Sequence, residues 1–132
     1  MFERFSGSLD FDRRLIDADI RGSQAFARAL ERVGILTAGE RGQIVAAFDE
    51  IRAEAVSPAF YEGATDEDVH TLVIRKLKEK AGRVADKIHT GRSRNEQVSL
   101  DMRLWLREEC ADMQASLCAV IDRKSTRLNS SH

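Results

Sequence analysis

Between Val98 and Ile121 the apolar residues Val98, Met102, Trp105/Leu106, Cys110, Met113, Leu117 and Val120/Ile121 return every three or four positions. That is the spacing of one face of an α-helix. Leu100, Leu104 and Ala111 widen the face beyond a single stripe. A helix this long and this broadly apolar belongs inside a multi-helix bundle. Three segments upstream share the period. Leu15, Ala18, Gly22, Ala25/Phe26, Ala29 and Val33 predict a first helix, weakened locally at Gly22-Ser23 and stopped by Gly34. Thr37-Ala38-Gly39-Glu40 has the form of a capping box and opens a second, with Ile44, Ala47/Phe48, Ile51 and Ala55 on its face and Ser57-Pro58 at its end. After a loop over 56–65, Thr65 or Asp66 caps a third, whose face is Val69, Leu72/Val73, Lys76/Leu77 and Lys80 and which Gly82 closes. A second loop over 82–92 leads to Ser93-Arg94-Asn95-Glu96, another capping-box pattern, which launches the long helix. No segment alternates in the manner of a strand, so the expected fold class is all-α.

The charge balance excludes some partners. With 21 basic and 22 acidic side chains among 132 residues, the net charge is −1, unlike the positive excess of a nucleic-acid-binding domain. No apolar run approaches the ~20 residues needed to span a bilayer, so no membrane partner is expected. Met1-Phe2-Glu3-Arg4 leads into Ser6-Gly7-Ser8, without the apolar stretch of a secretory signal. Cys110 and Cys118 fall eight residues apart on one helix, about 12 Å along its axis and too far for a disulfide. They read as small core residues of a protein in a reducing compartment, the cytoplasm.

The apolar period ends at Ile121. The last eleven residues, Asp122-Arg123-Lys124-Ser125-Thr126-Arg127-Leu128-Asn129-Ser130-Ser131-His132, are polar, basic and serine-rich. They resemble the in-frame translation of a widely used DNA-sequencing adapter and are set aside as a non-native tail. Taking away the tail's three basic and one acidic side chains leaves 18 against 21, a net charge of −3. The remainder reads as a fragment of a larger gene product.

The densest polar chemistry is His89-Thr90-Gly91-Arg92-Ser93-Arg94-Asn95-Glu96-Gln97, at the start of the long helix. A helix N-terminus offers unpaired N–H groups and the positive end of the dipole. Arginine adds a planar fork that grips carboxylate or phosphate. A small anionic ligand fits such a corner, and a solvated basic loop ahead of an ordinary helix fits the same residues. Asp10, Asp12, Asp17 and Asp19, with Ser6 and Ser8 just before them, form an acidic group that either complements the helix dipole or holds a cation. Thr65-Asp66-Glu67-Asp68-Val69-His70 carries the same two readings, and His70 itself reads as a satisfied structural histidine. Trp105 reads as core. There is no metal-ligand spacing, no P-loop and no glycine-rich dinucleotide motif.

Taken together, these segments resemble the argininosuccinate lyase family of the fumarase/aspartase superfamily. The resemblance runs from Phe5 to about Ile121. It is carried by Phe5-Ser6-Gly7-Ser8-Leu9-Asp10-Phe11-Asp12-Arg13-Arg14-Leu15, Asp19-Ile20-Arg21-Gly22-Ser23, Gly34-Ile35-Leu36-Thr37, Asp66-Glu67-Asp68-Val69-His70-Thr71, the His89–Gln97 block and Asp101-Met102-Arg103-Leu104-Trp105-Leu106-Arg107. It implies a cytosolic, all-helical homotetramer that cleaves argininosuccinate to arginine and fumarate by β-elimination, without a cofactor or a metal. The implied organisation is a helical lyase domain over 1–92, the first long helix of a central bundle over 93–121, and the tail over 122–132. Ser8 and Asn95 match substrate-binding positions of the family; Asp12, Asp68 and Arg94 match further substrate contacts. On this reading Arg92, Arg94 and Asn95 receive carboxylates, while Asp12 and Asp68 face the cationic part of the substrate. His89, Thr90 and Arg92 have supporting roles. The family's proton-transfer residues lie in a later Thr-His segment and a serine loop, so no catalytic residue is assigned in this chain.

Glu96 stands where aspartate is commoner, Asp86 where glycine is usual, and Ile74 where a charge is frequent. Two other readings stay open. A crystallin-like, non-enzymatic member of the family would share these motifs. A free-standing helical module that binds an anion would fold cooperatively as a monomer, with no need of a partner for the 98–121 face.

Overall fold

The computed structural model describes residues 7–129, with side chains through Lys124. The readings placed on Met1–Arg4, Phe5, Ser6 and the final three residues of the tail lie outside the described residues.

Among the described residues the expected all-α class is what is found. Helix α1 (Leu9–Asp12) passes through a 3-10 turn, Arg13–Leu15, into α2 (Ile16–Arg32). Helix α3 (Ala38–Glu54), a 3-10 turn at Pro58–Tyr61 and α4 (Val69–Ala81) follow. A 3-10 helix, Gly82–His89, then leads to α5 (Arg94–Asn129). Contacts divide the chain into two units, 1–102 and 103–132.

In the first unit α2 packs on α3, α3 on α4, and α4 on the 3-10 helix. Ile20, Ala27, Ile44, Phe48, Ile51, Leu72, Val73, Leu77 and Ile88 are fully enclosed. Each large aliphatic or aromatic side chain so buried contributes roughly 1.5–3 kcal/mol relative to exposure. Gly22 explains itself here. A Cβ at that position would stand 3.1 Å from Leu100 Cδ2, so the residue that costs helix propensity is also what lets the first turns of α5 approach α2.

Local chemistry accounts for the helix ends. Thr37 and Glu40 form the expected capping box: the Glu40 N–H donates to Thr37 Oγ1 at 3.2 Å, and the Thr37 N–H donates to Glu40 Oε2 at 2.9 Å. The second box is only half made. The Asn95 N–H donates to Ser93 Oγ, whereas the Glu96 carboxylate accepts from Arg92 Nε at 3.0 Å.

Several expectations are corrected. The cap of α4 is Asp68, in place of Thr65 or Asp66, because Asp66 is taken by a bidentate pairing with Arg75. Residues 82–89 are helical, with Ala85 and Ile88 facing the core at the three-residue spacing that a 3-10 helix aligns. The loop over 56–65 contains the Pro58–Tyr61 turn. The buried face of α2 runs through Ile20, Ser23, Ala27 and Leu30, while Ala25 is exposed and Val33 is 70% exposed. Asp19, Ser23 and Gln24 are inside, so a count of apolar residues alone set that face off by about one position.

The second unit is the continuation of α5, and the backbone stays helical through Asn129. Leu106, Met113, Leu117, Val120 and Ile121 are exposed. Cys110 and Cys118, expected in a core, are exposed free thiols. They lie on the helix stretch whose apolar residues have no covering among the described residues. None of the described helices is long and apolar enough to cross a membrane.

Candidate functional site at the start of helices α4 and α5

The N-terminus of α4 presents N–H groups without intrahelical partners. Two carboxylates from different parts of the chain take them. The Val69 N–H donates to Asp12 Oδ1 at 3.1 Å, and the Thr71 N–H donates to Asp68 Oδ1 at 2.7 Å. Ser8 secures the first of these, donating its hydroxyl to Asp12 Oδ2 at 2.6 Å and its N–H to the Glu67 carbonyl at 2.7 Å. Arg94, at the start of α5, closes the chain: its Nε donates to Asp68 Oδ2 at 2.9 Å and its Nη1 to Glu67 Oε2 at 3.1 Å.

The two carboxyls are shifted in opposite directions. Partial burial, reinforced by the charge of Asp68, raises Asp12 above the ordinary aspartate value, against the bonds from Ser8 and Val69. Burial also pushes on Asp68, but the bonds from Thr71 and the Arg94 guanidinium outweigh it and hold Asp68 below that value.

The family resemblance assigns Ser8, Asp12, Asp68, Arg94 and Asn95 to one site, and the structure links the first four through these bonds. Their pairing differs from the expected one. Arg94 faces Asp68 here, so neither is open to a ligand of opposite charge without sharing. Arg92, expected to receive carboxylates, is turned inward: its side chain is 3% exposed, its Nη1 donates to Ser23 Oγ, and its guanidinium lies 4.5 Å from the Phe26 ring centroid. Thr90 and Asn95 are exposed, and the Asn95 amide has no hydrogen-bond partner among the described residues.

Beside this cluster lies a pocket of about 230 Å³, lined by His70, Thr71, Ile74, His89, Arg94 and Gln97. His89 meets His70 edge to face, with centroids 6.3 Å apart. Partial burial, with the neighbouring His70 and then Lys78 and Arg92 adding to it, holds the His89 imidazole below its usual pKa.

The pocket wall opens onto a buried polar layer that was not read from the sequence. His70, the expected structural histidine, sets Nδ1 2.6 Å from Asp19 Oδ2. Gln97 and Asp101 from α5 and Asp19 and Ser23 from α2 are all buried with it. Their signal was the spacing: Asp19/Ser23 and Gln97/Asp101 are polar pairs four residues apart, bordering apolar stripes. No group of three or more His, Cys, Asp or Glu among the described residues is arranged to hold a metal ion.

A family model described as Lyase matches residues 1–129. The chain belongs to this lyase family. An argininosuccinate lyase of Solibacter usitatus is 84% identical over 123 residues, covering 93% of this chain and 27% of the relative. One from Roseiflexus sp. is 50% identical over 105 residues, 80% of this chain and 23% of the relative. One from Hahella chejuensis is 48% identical over 119 residues, 90% and 25% respectively. The lyase-family chain thus spans about a quarter of the length of these relatives.

Proposed function

We propose that this lyase-family chain is the N-terminal part of an argininosuccinate lyase, which cleaves argininosuccinate to L-arginine and fumarate by β-elimination in arginine biosynthesis or the urea cycle. The observation that carries the reading is the 84% identity over 93% of the chain to a protein of that name. The chemistry of the cluster agrees with it. The substrate carries three carboxylates and one guanidinium, so its site needs anion receptors and a carboxylate within one space. Arg94 is a guanidinium oriented by Asp68 yet still 44% exposed along its side chain. It can therefore take a substrate carboxylate on its open side while Asp68 fixes its plane. Asn95 offers an unengaged amide one residue on. Ser8 and Asp12 form the opposite end of the same bonded chain, and His89 lines the adjoining pocket with Arg94.

In β-elimination a base removes the proton next to a carboxylate, and the charge that develops on that carboxylate must be stabilised before the guanidino nitrogen departs. This segment supplies charge stabilisation. The proton-transfer groups come from segments outside it, so the chain alone has no turnover on this reading. The working protein is a cytoplasmic homotetramer in which further helices cover Val98, Met102, Leu106, Met113 and Leu117.

Fusing residues 1–121 to the remainder of the Solibacter usitatus relative and following fumarate release tests the reading. A tetramer that turns over is expected. Asn95→Ala in that fusion should lower kcat/KM about tenfold or more, the scale of one charge-assisted hydrogen bond, with assembly intact. A tetramer without turnover overturns the reading, and unchanged kinetics for Asn95→Ala remove Asn95 from the site.

A further inference from the structure

The buried layer behind the pocket contains a permanent donor, and a chain of bonds runs from it to a proton. Arg92 Nε and Nη1 stand 2.9 and 3.0 Å from one end of the Gln97 amide. Guanidinium nitrogens only donate, so that end is the amide oxygen. The NH2 end then lies 2.8 Å from His70 Nε2. A proton on Nε2 would set N–H against N–H, so Nε2 is the bare acceptor. The single imidazole proton is on Nδ1, donated to Asp19 Oδ2 at 2.6 Å.

We infer that Gln97 is a positioning residue, which holds His70 as the neutral Nδ1–H tautomer. The rival arrangement makes His70 an imidazolium. It requires Nε2 to donate to Gln97, which turns the amide NH2 onto Arg92. The fixed donor character of Arg92 excludes it.

Two carboxyls of this layer, Asp19 and Asp101, are 1% and 3% exposed, and burial disfavours the charged form of such a group. Asp19 accepts from His70 Nδ1 at 2.6 Å, and the Ser23 hydroxyl stands 3.5 Å from its other oxygen. Burial, reinforced by the charge of Asp19, pushes Asp101 up to about 8. The charged groups facing the pair are Arg92, from the segment ahead of α5, and Glu96, on α5 itself. His70 faces Asp19, Gln97 and the ring of His89.

The consequence deepens the proposed function and rests on it. Both nitrogens of His70 are committed, so His70 gives the pocket a neutral wall beside Arg94 and takes no part in proton transfer. The anion in the pocket meets the Arg94 cation alone on that side.

The test is a long-range 1H–15N spectrum of the full chain labelled at histidine, at pH 7. The expected signature for His70 is a protonated Nδ1 and a bare Nε2. In Gln97→Glu a carboxylate oxygen faces both neighbours, so His70 should gain a second proton and show two protonated nitrogens. An Nε2–H tautomer or an imidazolium in the wild type overturns the inference. So does the averaged pattern of an unfolded chain, or a folded Gln97→Glu whose His70 is unchanged. If Gln97→Glu does not fold, the wild-type spectrum decides alone. Loss of the lyase reading through an inactive fusion would leave these spectra as they are, which separates the two failures.

Discussion

Arg94 and Asp68 bind each other across the starts of two helices: Arg94 Nε lies 2.9 Å from Asp68 Oδ2, while Asp68 Oδ1 accepts the Thr71 N–H that opens α4. One carboxylate thus caps α4 and orients the first charged side chain of α5. Asp68→Ala removes both functions. The lost cap alone is worth about 1 kcal/mol, within a range of about 0.5–2, and the unpaired guanidinium adds to it. Asp68→Asn keeps an oxygen for Thr71 and loses the charge. In urea unfolding, Asp68→Ala should therefore lower the midpoint more than Asp68→Asn. Equal midpoints would mean that the cap contributes nothing beyond the ion pair.

The same carboxylate sets the acid limb of stability. Asp68 is held below its ordinary value in the folded chain, so its contribution is full above the unfolded aspartate pKa of about 3.9 and is lost as pH falls through the folded value. Asp12 is raised and acts with the opposite sign, favouring the folded state once protonated. The two partly cancel between pH 3 and pH 5 (an approximate window set by the ordinary aspartate value). Asp12→Asn removes the opposing contribution while leaving an oxygen for Val69. Its stability should fall more steeply than wild type on acidification, as read by urea titrations at several pH values. A shallower fall would contradict the assigned directions.

Asp101 acts over a wider window, with the same sign as Asp12. Folded, it keeps its proton up to about pH 8; unfolded, it loses it near the ordinary value of about 3.9. Between these limits the folded state binds more protons at this group, so its contribution to stability declines as pH rises and levels off above about 8. Asp101→Asn can donate its amide to Asp19 and carries no charge at any pH. That variant should show a flatter profile and exceed wild type in stability at pH 9, measured by the urea midpoint. A wild-type slope in Asp101→Asn would place the titrating proton elsewhere.

How much of this was legible in the sequence depended on whether a residue's partner was local. The Thr37/Glu40 box closes within three residues and was read outright. Ile44, Ala47, Phe48 and Ile51 repeat on one helix face and were placed in the core correctly. The cap of α4 was misplaced because Asp66 and Asp68 are equivalent until Arg75, nine residues away, takes one of them. The buried face of α2 was shifted because Asp19 and Ser23 look like solvent residues until His70 and Arg92, 51 and 69 positions away, satisfy them. Ser8, Asp12, Asp68 and Arg94 were grouped by family resemblance; that Arg94 would face Asp68 followed from nothing in either segment. Periodicity reports which side of a helix is covered, while a polar residue inside that cover is explained only by a distant partner.

Gly22 offers the sharpest test of the α2–α5 crossing. Its missing side chain leaves room for Leu100, whose Cδ2 would stand only 3.1 Å from a Cβ. Gly22→Ala gains up to about 1 kcal/mol of helix propensity and asks a flexible leucine tip to move a few tenths of an ångström, so it should be close to neutral. Gly22→Val adds two methyl groups at the same point and cannot be absorbed by rotating Leu100. It should cost about 1–3 kcal/mol, the range for overpacking. The loss should localise to the first turns of α5, because Gln97 and Asp101 flank Leu100 and would be displaced with it. Hydrogen exchange by residue would show faster exchange over 95–102 in Gly22→Val and none in the α3–α4 contact. Even acceleration across all of unit 1–102 would mean that the crossing has no separate role in holding α5.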